Sequence, residues 1–232
     1  MENAKDSLIE IFKTEDGSNS LLRKDIEESY HSHFGALTET NTIYIDYGYN
    51  YFCSLNNAPQ INVLEIGFGT GLNCVLTLLE AKESQRHIHY TGIERYPLNE
   101  EIIRKLNYPS IIGKECEEDY FAIHQAPWEE DVCLSPWFTL HKMEGDFTHY
   151  SFEQKYDIIY FDAFAPEKQP EMWEQSLFDN LYQVLNEGGI LTTYCAKGVV
   201  RRMLQTAGFK VERLPGPPGG KREILRATKS NL

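Results

Sequence analysis

The chain of 232 residues holds no apolar run approaching the roughly 20 residues that a membrane helix needs. Its opening, MENAKDSLIEIF, has neither a basic n-region nor an apolar h-region, so no secretory leader is expected there. Cysteine is sparse. The five residues, Cys53, Cys74, Cys116, Cys133 and Cys195, are scattered, odd in number and never in C-x-x-C spacing. That pattern fits reduced thiols in a cytoplasmic protein and offers no zinc site, so no metal is expected. Internal repeats and low-complexity segments are also missing. Basic charge is short overall: the formal net charge is -13, which argues at first sight against a nucleic-acid partner.

What is present is organised around Ile61–Leu72, INVLEIGFGTGL. Val63, Leu64 and Ile66 make a short branched apolar run, as in a strand covered on both faces. Gly67, Gly69 and Gly71 follow, and Leu72–Ala81 has helical composition. The dinucleotide fingerprint is G-x-G-x-x-G. Here Leu72 stands where its third glycine would fall, so a pyrophosphate-binding turn is disfavoured. The tighter spacing, preceded by Glu65, resembles the first motif of class I S-adenosylmethionine (SAM) methyltransferases.

Further signals follow in the expected order. His87–Ile93 reads as a second strand ending at Glu94, 23 positions after Gly71, where an acidic side chain can accept bonds from ribose hydroxyls. Trp137–Met143 reads as a third strand leading to Asp146, which the methyltransferase pattern would set against the adenine amine. Lys155–Phe161 is a fourth strand running into Asp162, Phe164, Pro166, Lys168 and Trp173. In open parallel sheets ligands sit outside the carboxyl ends of the strands, which would set Asp162 opposite the glycine turn.

Elsewhere the expectations are a strand at Ser7–Lys13, a helix at Asp25–His33 carrying the polar cluster Tyr30, His31 and Ser32, and a strand at Thr42–Tyr47. Helices are expected at Leu98–Leu106, Glu115–His124, Pro170–Leu185 and Lys197–Ala207, and a loop at Ala126–Pro136. Strands at Gly189–Cys195, Phe209–Leu214 and Arg222–Thr228 would end the chain. The fold class is α/β: a Rossmann-like, mostly parallel seven-stranded sheet with one antiparallel strand near the end. Residues 1–59 would form an N-terminal extension, and 60–232 the methyltransferase domain with an insertion near 98–136.

Charge is uneven. From Cys195 onward nine Lys and Arg face two Glu, a local balance of +7, against -20 for the remainder. Lys197, Arg201, Arg202, Lys221 and Arg222 are therefore candidates for a phosphate-binding face.

Four stretches together carry a more specific resemblance: DGSNSLLRKDIEESYHSHFGALTE (Asp16–Glu39), EIGFGTGLN (Glu65–Asn73), FDAFAPEKQPEMW (Phe161–Trp173) and PGPPGGKREILRA (Pro215–Ala227). They resemble the methyltransferase domain of the tRNA 5-methylaminomethyl-2-thiouridine enzymes, the MnmC or MnmD group. The resemblance covers nearly the whole chain. It implies SAM-dependent methylation of the aminomethyl group of a wobble uridine in a tRNA anticodon loop, with separate enzymes supplying that group. Because no second dinucleotide turn follows, the chain resembles the stand-alone form. On that reading Glu65, Gly67, Gly69, Gly71, Glu94, Asp146 and Asp162 would bind the cofactor, and Asp162 would also be catalytic. Tyr30, His31, Ser32, Phe164, Pro166, Lys168, Trp173, Lys197, Arg201, Lys221 and Arg222 would bind the substrate. Three other readings stay open: a small-molecule amine methyltransferase, an aminopropyl transferase of the spermidine synthase type, and a binding module without activity.

Overall fold

The computed structural model describes residues 8–230, so Ser7 lies outside the described residues. Strands β1 (Ile9–Lys13), β2 (Asn19–Arg23) and β3 (Glu28–Ser29) form a small antiparallel sheet. The helix expected at Asp25–His33 does not form. Glu27 adopts a left-handed φ of 51° and turns the chain back, and the Tyr30 N–H donates to Leu21 O at 2.8 Å. Two facing strands thus satisfy the backbone groups that a helix would have used.

The strand expected at Thr42–Tyr47 is also replaced. Helix α1 (Ala36–Thr40) continues as a π-helix over Asn41–Asn50 and then as α2 (Tyr51–Leu55). Ile43, Tyr44 and Ile45 are consecutive and all buried. Alternation in the sequence suggested two faces, but this segment is covered on more than one side. It packs against α3 (Leu72–Ser84) and the central sheet.

That sheet contains β4 (Gln60–Ile66), β5 (His87–Glu94), β6 (Asp131–Ser135), β7 (Phe138–Glu144), β8 (Tyr156–Phe161), β9 (Leu185–Thr193), β10 (Lys210–Pro215) and β11 (Glu223–Thr228). Its order is β10-β11-β9-β8-β4-β5-β7-β6. The chain steps outward from β4 in both directions, and β11 enters antiparallel between β9 and β10. This is the class I methyltransferase sheet. The seven expected strands are joined by an eighth, β6, antiparallel at the β7 edge. It occupies the stretch expected to be a loop, because Pro127 and Pro136 bracket an alternating Val132 and Leu134 that pack on the core.

Helices α4 (Glu100–Lys105), α5 (Tyr108–Ile112) and α6 (Glu117–Gln125) lie between β5 and β6. They back the glycine turn: Tyr120 Oη donates to Thr70 O at 3.2 Å, and His124 Nε2 lies 3.1 Å from the same oxygen. On the other face, α7 (Gln175–Val184) and α8 (Gly198–Ala207) pack together. The helix expected from Pro170 begins later, since Pro170–Trp173 is a separate 3-10 turn. No helix among the described residues is long and apolar enough to cross a membrane.

Candidate active site

Two clefts open at the carboxyl ends of the parallel strands, and they share a wall. The first has a volume of about 790 Å³ and is lined by the glycine turn, Glu94, Asp146, Asp162 and Phe164, with Arg23, Tyr30 and His31 closing it from the small sheet. The second, about 630 Å³, is lined by Glu28, Ser32, Phe34, Glu39, Tyr194 and Lys221. Tyr30, His31, Asp162, Ala163 and Phe164 belong to both. The Tyr30 and Phe164 rings meet edge-on with centroids 5.1 Å apart.

The turn after β4 comes close to the turn after β8. A Cβ on Gly67 would lie 2.6 Å from the Asp162 carbonyl oxygen, and φ there is +89°. A Cβ on Gly69 would lie 3.1 Å from the Tyr30 ring, again at positive φ (+51°). Both positions therefore require glycine on steric and conformational grounds. Gly71 stands just before α3.

Glu94, at the end of β5, accepts from the Gly69 N–H at 2.9 Å through Oε2 and from the Tyr96 N–H at 2.8 Å through Oε1. Burial raises its pKa against these bonds. Asp146 accepts from the Thr148 N–H (3.0 Å) and hydroxyl (2.7 Å) and pairs with Arg95 at 2.9 Å. Partial burial opposes ionisation of Asp146, yet the Thr148 bonds and the Arg95 charge hold its pKa below the ordinary carboxylate value.

Asp162 is the most constrained group of the wall. Tyr44 Oη donates to its Oδ1 at 2.6 Å, and Asn73 Nδ2 donates to its Oδ2 at 3.0 Å. Burial pushes its pKa up to about 6, while the two donors and the Lys221 charge pull it down. Neither Tyr44 nor Asn73 was singled out from the sequence. Asn73 follows the glycine turn by two residues, and that position was its only signal. Tyr44 lies 118 residues from its partner, on a segment whose secondary structure was misread.

Some expected site residues stand elsewhere. Glu65 is fully buried behind the wall, where it takes bonds from Asn73 (2.8 Å) and from Tyr90 Oη (2.7 Å), and burial raises its pKa well above the ordinary value. It positions Asn73 and does not line a cleft. Trp173 is core: it packs edge-on against Phe161 and braces the loop by donating from Nε1 to Phe164 O at 2.8 Å. Pro166 and Lys168 sit on the loop but line neither cleft. Among the basic candidates only Lys221 lines a cleft, with Nζ 3.4 Å from the Tyr194 ring centroid. Lys197 is paired with Glu167, Arg201 is partly buried, and Arg202 and Arg222 are exposed.

The first cleft's groups fit SAM. Three carboxylates converge on it, matching a ligand with a cationic sulfonium and ammonium, a ribose diol and an adenine amine. Asn73 lines the cleft, and its Oδ1 has no hydrogen-bond partner among the described residues, which provides an acceptor beside the carboxylates.

Relatives of known sequence and structure point to the same cofactor. Residues 138–230 match the family described as S-adenosyl-L-methionine-dependent methyltransferase. The chain is 33% identical over 228 residues to the tRNA 5-methylaminomethyl-2-thiouridine biosynthesis bifunctional protein MnmC of Leptospira interrogans, covering 90% of this chain and 34% of that protein. The protein of the same name from Pseudomonas fluorescens is 31% identical over 211 residues, covering 86% and 32%. The chain thus spans about a third of the length of these relatives. Among solved structures, MNMC2 from Aquifex aeolicus superposes with a TM-score of 0.77 at 26% identity, covering 97% of this chain and 72% of that one. Spermidine synthase from Thermotoga maritima shares the fold at a TM-score of 0.62 and 17% identity, covering 96% of this chain and 69% of that one. The chain belongs to the S-adenosyl-L-methionine-dependent methyltransferases, as a methyltransferase domain of the MnmC type.

Proposed function

We propose that the chain methylates the primary amine of a 5-aminomethyluridine, with or without a 2-thio group, at the wobble position of tRNA, working in the cytoplasm on tRNA that already carries the aminomethyl group. The observation that carries the reading is the shared wall. Tyr30, Asp162 and Phe164 face the cleft lined by the glycine turn, Glu94 and Asp146 on one side and an acidic, aromatic cleft on the other. SAM, when bound, supplies an electrophilic methyl group on a positively charged sulfur.

The residues then have separable tasks. Glu94 and Asp146 would hold the nucleoside half of the donor, and Asn73 and Asp162 its cationic end. Asp162 would accept an N–H of the amine and aim the nitrogen lone pair across the wall. Its own orientation is fixed by Tyr44 and Asn73. Positioning of this kind can supply roughly 7–11 kcal/mol of a barrier at best. Phe164 and Tyr30 would flank the uracil, replacing the stacking lost when a base leaves the anticodon loop, at about 1–3 kcal/mol per base. Lys221, at the second cleft's rim, and exposed Arg222 beside it would meet backbone phosphates.

Labelled SAM incubated with the protein, total tRNA from a strain lacking the methylation, and a mixture of polyamines tests this. Label in tRNA is expected. Label confined to small amines would favour a small-molecule methyltransferase, and no transfer would contradict both.

A further inference from the structure

The second cleft contains a carboxylate that the proposed transfer has not used. Glu39, the penultimate residue of α1, is 6% exposed and lines the cleft together with Asp162, Lys221 and Tyr194. Its coordination differs sharply from that of Asp162. Asp162 receives one donor on each oxygen, at 2.6 and 3.0 Å, which favours the anion and suits a group that orients. Glu39 receives only the Ser32 N–H at a long 3.4 Å. No donor reaches its other oxygen among the described residues, and no cation forms an ion pair with it there. A buried carboxylate so poorly solvated gains most by taking up a proton.

An amine acceptor creates that need. Alkyl amines are mostly protonated at neutral pH (the lysine model value is about 10.4), and an ammonium has no lone pair to attack with. Building on the proposed amine methylation, we infer that Glu39 is the proton acceptor of the reaction, taking a proton from the acceptor's ammonium before the methyl group moves. The balance is complete. The N–H bond breaks toward Glu39, whose carboxylate becomes a carboxylic acid. The neutral nitrogen forms the new N–C bond as the C–S bond breaks, and the sulfur keeps that electron pair. The product leaves as a secondary ammonium, and Glu39 returns its proton to solvent.

The surroundings agree. Burial, with help from the Asp162 charge, raises the Glu39 pKa to about 7 against the opposing pull of Lys221 and the Ser32 N–H. The other titratable groups facing the cleft are Glu28, Tyr30, His31, His33 and Tyr194. His31 is held neutral by burial, its pKa lowered to about 4, so it brings no positive charge to Glu39 near neutral pH.

The test is Glu39→Gln in the full chain, with kcat/KM for tRNA measured from pH 6 to pH 10. The unaltered enzyme should pass its half-maximal rate near pH 7 and level off above it. The variant must wait for solvent to deprotonate the amine, so its rate should be down about 100-fold or more at pH 7 and climb tenfold per pH unit toward alkaline pH. SAM affinity should stay unchanged. A profile parallel to that of the unaltered enzyme, at any height, would overturn the inference. A Glu39→Asp control, expected to recover part of the neutral-pH rate, separates loss of the carboxylate from loss of fold. If the unaltered enzyme fails to label tRNA, the proposed function fails instead, before Glu39 is reached.

Discussion

The Tyr44 hydroxyl donates a 2.6 Å hydrogen bond to Asp162, joining a π-helical turn before the main sheet to the loop after its fourth central strand. The bond costs Tyr44 its freedom and gives Asp162 one fixed rotamer beside both clefts. A donor on a carboxylate favours the anion. Tyr44→Phe should therefore raise the Asp162 pKa from about 6. A hydrogen bond to a charged group contributes about 1.5–3 kcal/mol, or about one to two pH units, which carries the Asp162 ionisation up to or past that of Glu39 and so shifts and steepens the acid side of kcat/KM. A pH-rate profile checks this, and an unmoved acid side would separate Tyr44 from the ionisation of Asp162.

Gly67→Ala should impair cofactor binding and folding together. The new Cβ would sit 2.6 Å from a backbone oxygen, which cannot swing away as a side-chain tip can, and φ is +89°. The strain should lower stability by about 1–3 kcal/mol and push the Asp162 loop away from the turn. Thermal unfolding with and without SAM reads both effects. The SAM-induced rise in Tm should shrink as well as the Tm itself.

Acid should loosen the fold through two histidines. His31 and His124 both have pKa values lowered to about 4 by burial, with the Lys142 charge assisting at His124. The folded state holds them neutral, while the unfolded chain protonates them near 6.5. Their contribution to stability is therefore intact above about pH 6.5 and is lost as pH falls toward 4. Denaturant titrations at pH 7.5 and pH 5 should show the loss. His124→Gln should reduce the difference between the two pH values. An equal difference in the variant would rule out His124 as a source.

Charge reversal at Lys221 and Arg222 should raise KM for tRNA and leave SAM affinity unchanged. The effect should weaken as salt rises, because phosphate contacts are screened. Filter binding at two salt concentrations measures it, and an RNA affinity indifferent to these charges would remove them from the proposed interface.

The parts of this site that were legible in the sequence are local ones. Strand, glycine turn and helix follow one another within Ile61–Ser84, and Glu94 ends, and Asp162 directly follows, a strand whose apolar run is unmistakable. A parallel sheet then brings such strand ends together whatever lies between them. Tyr44, Asn73 and Glu39 were not legible because their roles come from packing across the chain. Tyr44 alternates with its neighbours like a strand residue, and only the burial of Ile43, Tyr44 and Ile45 together betrays a helix. Glu39 looks like any helical glutamate until burial is known. Trp173 shows the converse: its helical stripe reads as core and its neighbours read as a site, and it is the buried brace that shapes the loop. β6 was hidden between two prolines, where a short amphipathic edge strand and a polar loop have nearly the same composition.

On the proposed function, Asp162 joins the two clefts by aiming the acceptor nitrogen at the donor. The most direct measurement is single-turnover methyl transfer to tRNA by Asp162→Asn, started from a preformed SAM complex, alongside the SAM dissociation constant. Weaker SAM binding, made good by saturating SAM, with transfer from the occupied complex slowed by about 100-fold or more is the expected result. Transfer at the unaltered rate from an equally occupied complex would contradict the account.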